Sequence, residues 1–144
     1  MKHATDNADF HSRTQQYEYR EPGCIFCDTD KMDPREILSE NKLCYAKADL
    51  YPATKLHSLI IPKRHVPDFF SLLQLEISAA YALLNELKTT IHQLDNTVTG
   101  FTIGANSGED AGQTIFHCHI HLIPRRKGDT NNPRGGVRKA IMNT

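Results

Sequence analysis

At 144 residues the chain has room for one domain with a real core and not for two comfortable ones. Its 39% hydrophobic and 24% charged residues are an ordinary globular balance, and 17 acidic residues cancel 17 basic ones. That neutrality excludes a global field favouring nucleic acid or an anionic membrane, so any attraction for phosphate has to be local.

No stretch approaches the roughly 20 apolar residues that span a bilayer. Met1 to Arg20 is polar, mixed in charge and without the apolar core of a signal peptide. The expectation is a cytoplasmic protein with no membrane contact, residues 1–20 forming a flexible lead-in. In that compartment a Cys24-x-x-Cys27 pair reads first as metal-binding or redox, while Cys44 and Cys118 read as core.

Between Ile37 and Ala48, two short apolar segments flank Glu40-Asn41-Lys42, the pattern of a hairpin. Leu56 to Pro62 predicts a buried strand ended by proline. Leu73, Ile77, Ala80, Leu84, Leu87, Ile91 and Leu94 recur at three- and four-residue steps. They predict one long helix whose apolar stripe packs on a sheet, with Ser71 as its N-cap. Val98 to Ala105 predicts a strand, Asn106 to Thr114 a glycine-bearing polar loop, and Ile115 to Pro124 a further strand. From Lys127 onward, turn residues predict irregular chain. Several strands with one long helix give an α+β class with a mostly antiparallel sheet.

The strand from Ile115 holds the chemistry. Residues two apart share a face, so Phe116, Cys118, Ile120 and Leu122 line a core side, and His117, His119, His121 and Ile123 line the other. Three imidazoles on one face beside a glycine-bearing loop are poorly explained by packing. Two chemistries compete: a catalytic metal site, since His-x-His presents two ligands to zinc, and nucleophilic attack on phosphorus. A neutral imidazole can attack phosphorus to form a phosphoramidate. A neighbouring histidine can then hydrogen-bond the phosphate or protonate the leaving group, while the preceding loop turns amides toward the phosphate oxygens.

His117-x-His119-x-His121 followed by Leu122-Ile123-Pro124-Arg125 resembles the signature of the histidine-triad family. Asn106, Gly112-Gln113-Thr114 and Ile61-Pro62-Lys63-Arg64-His65 sit in the order and spacing of that family. The resemblance spans roughly Gly23 to Asp129, which sets a domain at residues 21–129 and a tail at 130–144. It implies a histidine-triad fold: a five-stranded antiparallel sheet packed by one long helix and a short N-terminal helix, usually paired as a homodimer. It implies a nucleotide substrate joined through its α-phosphate to a leaving group, with magnesium at most accompanying the substrate and no organic cofactor.

By position, His119 is the nucleophile, and His121 and Gln113 contact the α-phosphate or leaving group, with Gly112 and Thr114 beside them. Asn106 reaches the phosphate or ribose region, Asp49 holds the ribose hydroxyls, Phe26 with Ile25 walls the base, and His57 supports the triad from behind. Lys47 departs from the pattern, standing where many members carry an aromatic or apolar residue facing the base. The motif looks most like the dinucleoside polyphosphate hydrolase branch, such as diadenosine tetraphosphate hydrolases. Alternatives are an adenosine 5'-phosphoramidate hydrolase and a low-turnover nucleotide-binding protein. Nucleic acid is not an expected partner.

The same resemblance suggests how Cys24 and Cys27 complete a site, because some members use a Cys-Cys-His-His set. Here that set is Cys24, Cys27, His65 and His117, four ligands with no open position, hence a structural zinc. Reduced cysteines packed as small apolar residues, or a redox pair, are the competing readings.

Overall fold

The structure, a computed structural model, describes residues 16–141. Asn41 makes the first turn of the sheet. Its side-chain oxygen accepts the N–H groups of Leu43 and Cys44 at 3.2 and 3.0 Å, folding β1 (Ile37–Glu40) back on β2 (Cys44–Ala48). β3 (Ser58–Pro62) follows, then helix α1 (Gln74–Leu94), β4 (Val98–Gly104) and β5 (Ile120–Arg126). Every pairing is antiparallel, and the sheet order is β1-β2-β3-β5-β4. The α+β class, the five strands and the long helix match expectation.

Alternation along the strands divides the core. Cys44, Ala46, Ile60, Ile120 and Leu122 meet Ala80, Leu83, Leu87 and Ile91 of α1 on one face. Tyr45, Leu59 and Ile61 face the other way and pack with Phe26. Each face stabilises by removing apolar area from water, at about 25 cal/mol per Å². No helix among the described residues is long and apolar enough to cross a membrane.

Several expectations need correcting. The helix buries Leu83, which the stripe omitted, whereas Leu94 is 68% exposed because α1 outruns the sheet beneath it. Ser71 is not the N-cap. It lies in a separate 3-10 turn, Phe69–Ser71, capped by Asp68, and α1 starts after Leu73. There the Glu76 carboxylate accepts the N–H of the cap residue Leu73 at 2.9 Å, the reverse half of a capping box, and no side chain caps the first turn. Among the described residues the N-terminal segment has no α-helix, only 3-10 turns at Thr29–Lys31 and Pro34–Glu36. Residues 1–15 of the expected lead-in lie outside the described residues, as do 142–144 of the tail. From 130 to 141 the tail is mostly exposed and holds one 3-10 turn, Gly136–Ala140.

The largest departure is at the histidines. β5 begins at Ile120, not Ile115. The last β3 partner on β5 is Ile60 opposite Ile120, and upstream of it Cys118 donates its N–H to Val66 O at 2.8 Å instead. Pulled off the ladder, the segment leaves Phe116 51% exposed rather than in the core.

Candidate active site and metal centre

Three segments of the chain bring four candidate ligands together. The Cys24–Cys27 segment is a tight turn, with the Cys27 and Asp28 N–H groups both on Cys24 O at 3.1 Å. His65 arrives from the chain after β3, its N–H on Tyr19 O at 2.8 Å. His117 is fully buried, and its Nε2–H donates to Pro62 O at 2.7 Å. A carbonyl can only accept, so this bond fixes the tautomer and leaves the Nδ1 lone pair free. That Nδ1 lies 3.5 Å from Cys24 Sγ and 3.4 Å from Cys27 Sγ, and His65 Nδ1 lies 3.5 Å from Cys27 Sγ.

All four ligand atoms sit within 4.8 Å of one another. With Zn–S near 2.3 Å and Zn–N near 2.05 Å, a tetrahedral ion puts sulfur and nitrogen about 3.5 Å apart. The donor set therefore fits zinc in both type and spacing. Glu21, 3.8 Å from His65 Nε2, orients that imidazole from outside. Burial holds the His117 pKa down at about 4, keeping the ring neutral as a ligand must be. All four cysteines are free, and Cys44 and Cys118 are buried as expected.

Above this centre lies a cavity of about 470 Å³ whose walls include Phe26, Lys47, Asp49, Leu59, His119 and His121. His119 Nδ1–H donates to His117 O at 2.9 Å, which leaves the Nε2 lone pair unengaged. The Phe26 ring packs edge-on against His119, centroids 5.2 Å apart. Tyr45 locks Phe26 from below by donating its hydroxyl to Phe26 O at 2.6 Å.

His121 is set the opposite way. The Ala53 N–H donates to His57 Nδ1 at 2.9 Å, so neutral His57 carries its proton on Nε2. That nitrogen meets His121 Nδ1 at 2.9 Å, and His121 in turn carries its proton on Nε2. Burial lowers the pKa of both His57 and His121. His119 and His57 lower that of His121 further, while Asp49 opposes the shift in both. Asp49 stands 3.3 Å from His57 and 3.7 Å from His121, its other oxygen accepting the Tyr51 N–H at 2.8 Å.

The loop expected to cradle phosphate is held differently. Gly112, at φ +88°, adopts the left-handed conformation that suits glycine. The turn lets Gln113 fold inward, where it is 4% exposed. Its Nε2 donates to Pro67 O at 2.6 Å and Ile115 O at 3.1 Å, and its Oε1 accepts the Gly108 N–H at 2.8 Å. The Gln113 amide thus fastens the loop, and its expected place at the α-phosphate is corrected: both its protons are committed to backbone. Asn106, Gly112 and Thr114 are exposed and do not line the cavity, which takes Ile115 from this stretch. Sequence reasoning missed Tyr45, Met32, Leu59 and Glu36. Alternation in β2 and β3 could have flagged Tyr45 and Leu59, but nothing local marks Glu36.

A five-stranded antiparallel sheet with one long helix, three closely spaced histidines at a cavity and a Cys-Cys-His-His cluster define an α+β protein of one recognisable class. The HIT domain family model matches residues 30–128, and the chain belongs to that family. An Arabidopsis thaliana bifunctional bis(5'-adenosyl)-triphosphatase/adenylylsulfatase FHIT is 35% identical over 99 residues, 69% of this chain and 54% of that one. An asymmetrical bis(5'-nucleosyl)-tetraphosphatase of Schizosaccharomyces pombe is 33% identical over 94 residues, 65% of this chain and 51% of that one. The chain thus spans about half the length of these relatives.

Among solved structures, a HIT family protein from Bacillus anthracis superposes with TM-score 0.69 at 35% identity, covering 76% of this chain and 78% of that one. A Zn-bound histidine triad family protein from Mycobacterium smegmatis does so with TM-score 0.68 at 29% identity, covering 76% and 80%. The expectation of a HIT-type nucleotide hydrolase agrees with the names of these relatives.

Proposed function

We propose that the protein hydrolyses a dinucleoside polyphosphate at its α-phosphate through a nucleotidyl-His119 intermediate. One observation carries the reading: the His119 Nδ1–H bond to His117 O, which fixes the tautomer and leaves the Nε2 lone pair available at the cavity. In the first step Nε2 attacks the α-phosphorus, an N–P bond forms, and the P–O bond to the leaving group breaks. The His121 Nε2 proton goes to the departing oxygen. Water then attacks phosphorus, giving its proton to His121 Nε2 as the N–P bond breaks, and the nucleoside monophosphate leaves. Asp49 is assigned to the ribose, Phe26 to the base, and the exposed Asn106 and Thr114 to phosphate oxygens. Gly112 and Gln113 act as positioning residues for the loop.

Cys24, Cys27, His65 and His117 would hold zinc, which when bound ties the N-terminal turn to the histidine segment and takes no part in the chemistry. Reduced thiolates suit the cytoplasm, and magnesium is assigned to the substrate's polyphosphate. A second copy is assigned to the β4 edge and α1, where Ile103, Leu75 and Tyr81 are exposed. Sedimentation at micromolar concentration checks this, and a clean monomer refutes it.

The test of the reaction is rapid quenching with diadenosine tetraphosphate and with adenosine phosphoramidate. A nucleotidyl adduct on His119 and faster turnover of the tetraphosphate are expected. Faster phosphoramidate turnover selects the alternative substrate, and hydrolysis without an adduct overturns the mechanism.

A further inference from the structure

The floor of the cavity has a chemical gradient that neither the histidines nor the family match accounts for. Strand register aligns Lys47 with Leu59 and Leu59 with His121, one row across three neighbouring strands. Neighbouring strands lie about 4.8 Å apart, so Lys47 sits about 10 Å from His121 along that row. The reacting phosphate belongs at the His119–His121 end, and Leu59 lies between as an apolar surface on which a planar base can rest. The far end of the row is then where the base's polar edge arrives.

That end is charged. Lys47 is 4% exposed, an unusual burial for lysine. Its ammonium reaches Ala48 O at 3.2 Å and the Glu36 carboxylate at 3.5 Å, and both side chains line the cavity. An ammonium has three donors and a carboxylate about four acceptor sites, so each side of the pair has capacity left for a ligand. Of the other acidic groups lining the cavity, Asp33 is held bidentate by Arg35, Asp28 pairs with Lys31, and Asp49 faces His57 and His121 at the phosphate end.

We infer that Lys47 and Glu36 form a guanine-selecting edge of the nucleotide site. This rests on the reading of His119 and His121 as the phosphate end. Guanine presents O6, an acceptor, beside N1–H and N2–H₂, two adjacent donors. Lys47 donates to O6, and the two carboxylate oxygens of Glu36 accept from N1–H and N2–H₂. Adenine presents one donor beside the N1 lone pair, which would face a carboxylate oxygen and leave it without a partner. A bidentate match of this kind discriminates between bases by roughly five- to 150-fold.

The test is calorimetric titration of the purified protein with GMP and with AMP, run beside turnover of the guanosine and adenosine dinucleoside tetraphosphates. GMP should bind at least about fivefold tighter than AMP. In Glu36→Gln the ratio should collapse through loss of GMP affinity, and Lys47→Met, which removes the ammonium and keeps the apolar stem, provides a second variant. A wild-type ratio below about fivefold, or one unchanged in folded Glu36→Gln or Lys47→Met, overturns the inference. Turnover of both dinucleotides without base preference overturns the inference alone. Selective GMP binding with no turnover of either dinucleotide overturns the hydrolase reading and leaves the guanine edge standing.

Discussion

Glu76 has no solvent exposure at all, and its carboxylate is buried in the first turn of α1. Arg64 donates to it twice, Nε at 3.1 Å and Nη2 at 2.7 Å, and the Leu73 N–H completes the set at 2.9 Å. The pair fastens the segment leading to His65 onto the start of α1. Glu76→Gln keeps the shape, removes the charge and turns an NH₂ toward the guanidinium. Breaking a buried pair by removing one partner costs roughly 3–5 kcal/mol. The Arg64 side chain is 17% exposed and recovers some hydration, which favours the lower figure.

The expected loss is about 3 kcal/mol, which lowers the Tm of a domain this size by about 10 °C. Urea and thermal unfolding of Glu76→Gln, and of the cycle Glu76→Met, Arg64→Met and Arg64→Met/Glu76→Met, measure it. The double variant should recover much of the loss, since no uncompensated charge remains. A Glu76→Gln loss below about 1 kcal/mol, within ordinary surface behaviour, or strict additivity in the cycle, refutes the reasoning.

His119→Ala should abolish turnover while leaving folding and much of the nucleotide affinity intact, and a residual rate of about a tenth refutes the nucleophile assignment. Metal analysis of untagged, reduced protein should give about one zinc per chain. His117→Ala should lower zinc content and melting temperature together, whereas His119→Ala should change neither much. Stability should also fall on acidification. His57 and His121 have lowered folded pKa values, so their contribution is complete above the unfolded value of 6.5 and is lost as pH falls below it. Asp49 and His119 are the charged or titratable groups facing this pair. Melting temperature against pH should fall less steeply between pH 7 and 5 in His57→Gln than in wild type, and equal slopes refute the assignment.

Much of this was legible in the sequence because it rests on short-range rules. Two apolar segments around Glu40-Asn41-Lys42 marked the β1–β2 hairpin, an apolar run ended by proline marked β3, and three- and four-residue steps marked α1. The histidine spacing and Cys24-x-x-Cys27 marked the chemistry, and the Cys-Cys-His-His grouping came from resemblance. What escaped depends on partners distant in sequence. Gln113 was placed at the phosphate, but Pro67, 46 residues away, claims its amide. Ser71 is not the cap because α1 starts after Leu73, whose N–H goes to Glu76, itself held by Arg64 from another segment. Glu36 meets the cavity only because β1 lies beside β2, which puts its carboxylate near Lys47.

The break in the histidine strand is the deepest of these failures of local reasoning, and the chemistry depends on it. A regular strand would commit the His117 carbonyl and the Cys118 N–H to ladder bonds, and three alternating imidazoles would then meet similar surroundings. Because β5 starts only at Ile120, those backbone groups are released. The His117 carbonyl takes the His119 Nδ1 proton, while Pro62, at the end of β3, offers its carbonyl to His117 Nε2. His121, inside the ladder, is governed instead by His57 across the sheet. Three identical side chains thereby acquire three roles: His117 turns a lone pair to the cysteines, His119 keeps one free for the cavity, and His121 holds a proton on Nε2. Proline at position 62 and the departure of the chain toward Val66 therefore bear on the histidines as much as on the fold, since restoring the ladder would take back the carbonyl that holds the His119 Nδ1 proton.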